Sequence, residues 1–334
     1  MAQAAGKLGL EMSIAAAAFA ATPRLAREAE DLGYASIWVP EVSGPDAFVT
    51  LGAIAQATTR ADLATGIVPI QIRTPGAMAM GFLTLGELSG GRAIAGLGVS
   101  SPIIVERWHG AAYRKPVTAM RECVTILRQL FTEGRSKFEG KVYRCDFKLG
   151  MQRSQPPPRI YLAALNPPML RLAGEIADGV LLNYSPPAGV VAKIAEVRAG
   201  AEAAGRKLTD VDIAIYLRMC VTEDVPGAVA AFKRELAGYA FVDQYNAMFA
   251  RFGLADEFAE VRRLWREGRR DEAPNALSDA SAFKLGAFGA PAAGRQFVAD
   301  FRAVGVNHPV VFPTGSGRNP VEDFTTTMAA LAGA

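Results

Sequence analysis

Short apolar runs alternate with amphipathic stretches along this chain, and glycines and prolines punctuate the pattern. KLGLEMSI, Lys7 to Ile14, predicts a strand with an acid, Glu11, near its end. Thr22 as N-cap and Pro23 at the first helical position predict a helix to about Leu32, stopped at Gly33. A second strand, Ala35 to Val39, ends at Pro40 and Glu41, and a second helix runs from Asp46 to Ala57. Ala61 to Pro69 is a third strand, interrupted by Gly66, with a helix from about Thr74 to Leu88 behind it. The chain then turns at Ser89-Gly90-Gly91, runs as an apolar strand from Arg92 to Val99 and opens into Ser100 and Ser101. Strand followed by helix, repeated in this way, is the mark of a parallel sheet.

The second half repeats the pattern less cleanly. Val117, Met120, Val124, Leu127 and Phe131 recur at helical spacing within Pro116 to Phe131. Residues 133–159 read as a surface excursion with a small hairpin. Strands follow at Ile160 to Leu165, Gly179 to Asn183, Val211 to Thr222 and His308 to Pro313. Between them lie helices at Pro168 to Ala177, Val190 to Ala204, Pro226 to Leu236 and Pro291 to Val304, the last main helix. Residues 239–279 add a charged helical insertion with no strand. Eight strands, most followed by a helix, predict an α/β fold, a (β/α)8 TIM barrel with insertions.

A length of 334 residues fits two average domains or one such barrel. With no internal repeat and no low-complexity linker, one domain over residues 1–334 is expected. Half of the residues are hydrophobic and 21% are charged, which provides a large core and argues against disorder. A net charge of +3 points to neither nucleic acid nor a membrane surface. The alanine-rich Ile14 to Ala21 is too short to span a bilayer. Three widely spaced cysteines, Cys123, Cys145 and Cys220, suit a reducing cytoplasm better than a disulfide framework or a metal site.

In barrels of this kind the chemistry sits at the carboxyl ends of the strands. Those ends offer Glu11, Met12 and Ser13; Pro40 and Glu41; Gly66, Ile67 and Val68; and Val99, Ser100 and Ser101. The later strands add Ala163, Ala164, Leu165 and Asn166; Asn183, Tyr184 and Ser185; Arg218 and Met219; and Thr314 and Gly315. No Cys/His cluster and no Ser/His/Asp set appears among them, so a cofactor is expected to carry the hard chemistry, with a small molecule as substrate. Gly96 and Gly98 leave two readings open: a flat ligand approaching the fourth strand, or neighbours that leave no room for a Cβ.

ELSGGRAIAGLGVSSP, with ASIWVPE before it and LAGEIADGVLLN after it, closely resembles the bacterial luciferase-like superfamily. The branch it resembles most is the coenzyme F420-dependent one, similar to methylenetetrahydromethanopterin reductase. The resemblance implies a homodimer, a deazaflavin ring in the barrel mouth and hydride transfer to an imine-like carrier, a ketone or aldehyde, or an activated alkene. It also implies a cis peptide at Gly66-Ile67 pressing on one face of the ring, with Gly98, Ser100 and Ser101 lining the same site. Glu11 matches a carboxylate at the end of strand one. Glu41 matches an acidic position where some relatives have a histidine proton donor, so it either moves protons or binds polar groups of ring or substrate.

The coenzyme's phosphate is expected in the loop Ala164-Leu165-Asn166-Pro167-Pro168-Met169 and at the helix N-terminus behind it. Relatives have glycine and then proline there. Here Asn166 replaces the glycine, with left-handed geometry available to it, and Pro168 removes an amide donor. Asn183, Tyr184 and Ser185 would complete the site from the next strand. His109, in ERWHG, is read as packing or hydrogen bonding against the neighbouring loop, and His308 and Trp38 as structural. Arg262, Arg263, Arg266, Arg269 and Arg270, interleaved with glutamates, read as a solvated helix face, or more sharply as a grip on the coenzyme's glutamyl tail. The alternatives are an FMN-dependent monooxygenase of the same superfamily, which would want a histidine at a strand end, and a flavin-binding protein without turnover.

Overall fold

A computed structural model describes residues 6–13, 16–151, 155–317 and 319–334. The first hundred residues supply β1 (Gly9–Glu11), β2 (Ser36–Val39), β3 (Asp62–Thr65), β4 (Val68–Pro69) and β5 (Ala93–Gly98). An antiparallel hairpin follows, β6 (Arg135–Glu139) with β7 (Arg144–Lys148), inside the expected excursion. The rest are β8 (Arg159–Ala163), β9 (Gly179–Leu182), β10 (Asp212–Val221), β11 (Gly286–Gly289) and β12 (His308–Pro313).

Hydrogen-bonded neighbours run β1, β2, β3, β5, β8, β9, β10, β12, and β12 pairs back onto β1, all in parallel. The ring therefore closes into the expected (β/α)8 barrel, and β4 resumes the third strand beyond Gly66 and Ile67 by pairing with β5. Strands covered on both faces need apolar residues at nearly every position, which is why they read as unbroken apolar runs. Local chemistry sets the helix ends. The Asp46 carboxylate accepts from the amide of Val49 at 2.9 Å, and Gly90, in the left-handed region at φ 65°, ends the helix Pro75–Ser89.

Three layers of core result. Leu10, Ile37, Leu63 and Leu97 face the helices, while Trp38, Ala64, Ile94, Tyr161, Leu181, Ala214, Tyr216 and Val310 fill the barrel. A third cluster, built on Phe232, Phe249, Phe258 and Phe288, lies under the inserted helices.

The structure departs from the sequence reading at several places. Thr22 is the first residue of its helix rather than its cap: a 3-10 turn, Ala16–Ala21, leads in, and the Thr22 hydroxyl donates back to the Phe19 carbonyl at 2.7 Å. Strand one ends at Glu11, and Ile14 lies outside the described residues. The insertion holds helices Asp243–Arg251 and Ala255–Arg266, continues through helix Asp279–Leu285 and ends in β11, a strand the sequence reading lacks. β11 pairs with the last four residues of β10, from Arg218 opposite Gly286 to Val221 opposite Gly289, beyond the point where β9 leaves off. A further helix, Pro320–Ala330, follows the one expected to be last.

Candidate active site

The register of β1 on β2 sets Glu11 level with Trp38, so the acid caps the apolar filling of the barrel. Glu11 is fully buried. Its Oε1 accepts the Ser13 hydroxyl, while Oε2, equally shut off from water, has no partner among the described residues. Burial raises its pKa to about 7, against the opposing pull of the Ser13 hydrogen bonds and the Arg218 charge. The carboxyl is thus neutral in mildly acidic solution and gives up its proton near neutrality.

Beside it the third strand breaks at Gly66-Ile67, whose peptide bond is cis. The Tyr216 hydroxyl, from β10, donates to the Gly66 carbonyl at 2.9 Å, and a Cβ at Gly66 would collide with that hydroxyl. Ile67 is partly exposed, and its side chain lies across the space a Cβ on Gly98 would need. Gly96 is as tight, against the carbonyl of Thr65. Of the two readings of these glycines, the neighbouring chain accounts for both residues: protein, not a flat ligand, occupies the missing Cβ positions.

The Glu41 carboxylate accepts Nε and Nη2 of Arg73 at 2.8 and 2.7 Å and the Ala47 amide at 3.1 Å. Arg73 also pairs Asp46, so Glu41 stands at the mouth as one arm of a fixed fork. Ser100 holds the left-handed region at φ 56°, which non-glycine residues seldom adopt, and Ser101 is buried. On the turn after β4, Gln71 carries two orphans. Both its amide atoms are buried, and neither Oε1 nor Nε2 has a partner among the described residues.

The opposite wall differs from expectation. Asn166 is extended, at φ −122° and ψ 156°, and does not use left-handed geometry. It begins a helix whose first two residues, Pro167 and Pro168, have no amide hydrogen. The next two amides, of Met169 and Leu170, both bond the Asn166 carbonyl at 3.1 Å. The Ala164 amide bonds the Leu181 carbonyl, and Leu165 packs toward the inserted helices. Of the amide cradle expected from Ala164 to Met169, the amides of Ala164 and Met169 are spent on the protein itself, and those of Leu165 and Asn166 have no partner among the described residues.

Asn183 and Tyr184 are also committed inward. Asn183 Nδ2 donates to the Tyr245 hydroxyl at 2.8 Å, and its Oδ1 accepts Arg218 Nη1. Tyr184 is buried, and its hydroxyl donates to Glu235. Arg218 lies between two rings, 3.9 Å from the Tyr184 centroid and 4.1 Å from that of Phe312, with its Nε on Glu235 at 3.2 Å. Burial alone would favour neutral Arg218. The Glu235 carboxylate and the tyrosine hydroxyls around it, Tyr184 first, more than reverse this and hold its pKa above the ordinary value.

Two cations were missed from sequence. Lys193, on helix Pro187–Ala203, is buried with its amine 3.1 Å from the Met248 sulfur, and burial with the nearby Arg251 charge lowers its pKa to about 7. Arg251 reaches back to the Asn166 side chain at 3.2 Å. Of the arginines of the inserted helices, Arg263 pairs with Glu260 and Glu267 and Arg269 with Glu272, Arg262 donates to Asn246 at 2.6 Å, and Arg270 lies over the Trp265 ring, which suits the solvated face. His109 ends the π-helical turn Ile103–Trp108 in an exposed position. His308 is buried at the amino-terminal end of β12, bonded to the Ser36 hydroxyl at 2.7 Å. Among the described residues no cluster could hold a metal ion, and no helix is long and apolar enough to cross a membrane.

The sequence profile of the luciferase-like monooxygenase family matches residues 4–308. A Mycobacterium tuberculosis protein named as a coenzyme F420-dependent oxidoreductase is 33% identical over 303 residues, covering 83% of this chain and 86% of that one. The 5,10-methylenetetrahydromethanopterin reductase of Archaeoglobus fulgidus is 32% identical over 238 residues, 70% of either chain. The solved structure of the F420-dependent tetrahydromethanopterin reductase from Methanopyrus kandleri superposes over 98% of both chains with a TM-score of 0.82 at 23% identity.

Proposed function

This chain belongs to the luciferase-like monooxygenase family, among its F420-dependent oxidoreductases, and we propose that it moves a hydride between coenzyme F420 and a small organic electrophile. The observation that carries this reading is Glu11, a buried acid titrating near neutrality with one oxygen unanswered at the barrel mouth. Other features fit the coenzyme. An unpartnered Gln71 amide, one donor beside one acceptor, complements the edge of a pyrimidinedione ring. The partly exposed Ile67, on its cis bulge, offers an apolar surface to a ring face.

Bound F420 supplies the hydride chemistry and reacts poorly with oxygen. The chain's share is to orient and to move protons. Glu11, neutral below about pH 7, donates its proton to the heteroatom or carbon of the substrate that gains negative charge, and takes one back in the reverse direction. Ser13 fixes the rotamer of that carboxyl through Oε1, which leaves Oε2 for the substrate. Glu41, tied to Arg73 and the Ala47 amide, shapes the rim. A ketone or aldehyde, an imine-like one-carbon carrier and an activated alkene all meet this requirement.

Fluorescence titration of the purified protein should show F420 binding well ahead of FMN, with reduced F420 oxidised only when an acceptor is added. FMN binding alone, with oxygen consumption, would overturn the reading. The chain also pairs with a second copy. The outward positions of helices Ala47–Ala57 and Pro75–Ser89 include Val49, Ala53, Ala77, Met80 and Thr84, apolar or small and uncharged over adjacent helices. Light scattering should return twice the 35.4 kDa chain mass, and a monomer at micromolar concentration would remove this part.

A further inference from the structure

Lys193 and Arg251 share one unusual property. Neither has an acidic partner among the described residues, and both contact or belong to helix Asp243–Arg251, from which Arg251 reaches the loop after β8. Lys193 is buried, so its amine has been taken from water with only a thioether at 3.1 Å in return. Arg251 and Met248 sit three apart on helix Asp243–Arg251, and so share one face of it. That face looks across to Asn166 on one side and to Ser185 and Lys193 on the other: Arg251 bonds the Asn166 side chain at 3.2 Å, and the Ser185 hydroxyl lies 4.0 Å from the Met248 sulfur. Arg251, itself exposed, is close enough for its charge to lower the pKa of Lys193. An unpaired buried amine is costly unless an anion completes its site.

The same loop has few backbone donors left for a phosphate. Pro167 and Pro168 carry no amide hydrogen, and the next two amides are used on Asn166, which leaves those of Leu165 and Asn166. We infer that this chain adds side chains, Lys193 and Arg251 with the Ser185 hydroxyl, to these few amides in holding the phosphate of its coenzyme. The inference rests on the F420 reading above and names how that coenzyme is gripped. Lys193 approaches from the helix after β9 and Arg251 from the insertion, so the phosphate closes a gap between the two and replaces the Met248 sulfur as the partner of the lysine.

The test compares two ligands that share the ring. One is F420; the other is the deazaflavin nucleoside, which ends before the phosphate. Lys193→Met and Arg251→Ala should each weaken F420 binding about 10- to 100-fold, the range for losing a hydrogen bond to a charged group. Nucleoside binding should stay within about twofold in both variants, because no phosphate is present to lose. Inorganic phosphate should compete with F420 in the wild type and leave nucleoside binding unchanged. Equal losses for both ligands would place these residues at the ring or in the fold and overturn the inference. Unchanged F420 affinity would overturn it too, leaving the cations for an anionic group of the substrate. A wild-type protein that binds neither ligand would defeat the F420 reading itself; one that binds both, with variants behaving as the wild type, would defeat the phosphate grip alone.

Discussion

At the amino-terminal end of the barrel, polar side chains find one another. Tyr161 donates to Asp212, Lys7 pairs the same carboxylate at 3.1 Å, Arg159 pairs Asp62, and the Ser36 hydroxyl accepts from Trp38 at 2.8 Å while sharing a hydrogen bond with His308. At the carboxyl-terminal end of the same strands, Glu11 keeps one oxygen and Gln71 both amide atoms without partners. Lys193, buried and facing the Met248 sulfur, lacks an acid among the described residues. An unanswered buried polar group costs about 1–3 kcal/mol. The floor bears that cost at one atom, His308 Nδ1. The mouth bears it at three, which points to a ligand that supplies the missing partners.

Two substitutions would sharpen or break this contrast. Trp38→Ala, which empties the floor of its largest side chain, should lower unfolding free energy by about 3–5 kcal/mol in a denaturant titration. A loss under about 1 kcal/mol, with F420 binding abolished, would mean that Trp38 serves the ring rather than the core. Glu11→Gln should lower kcat about 100-fold, the usual scale for removing a general acid, at nearly unchanged F420 affinity. The wild-type rate in the reductive direction should fall as pH rises through 7, and the variant should lack that limb. Stability follows the same proton. The folded-state pKa of Glu11 is raised from 4.5 to about 7, so its contribution is full below pH 4.5 and lost as pH rises through 7. The glutamine variant should therefore lose less stability than the wild type between pH 4.5 and 8. A steeper loss in the variant would show that the buried carboxyl is answered after all.

The barrel was legible because parallel strands carry their burial in the sequence: AIAGLG and IAIYLRMC cannot lie on a surface. β11 was not, since GAFG is too short to show a period and is a strand only because β10 extends past β9 to meet it. Glu11 was found by its place at a strand end. Gln71 was missed because an amide in a turn gives no sign that its partner is absent. Lys193 reads as an ordinary exposed helical lysine; helix Asp243–Arg251, some fifty residues on, buries it. Asn183 and Tyr184 sit at the expected strand end, but Glu235 and Tyr245, from helices outside the ring, hold their polar groups.

The ninth parallel neighbour of the ring has an effect beyond its four residues. Val221 and Gly289 lie side by side, and the Thr222 amide returns to the Gly289 carbonyl at 3.1 Å. The whole of 222–285 thus leaves the wall and re-enters it beside its point of departure, like a cassette clipped into a frame. Exchanging that segment between relatives would change which molecules reach the rim while leaving Glu11 and the interior filling as they are.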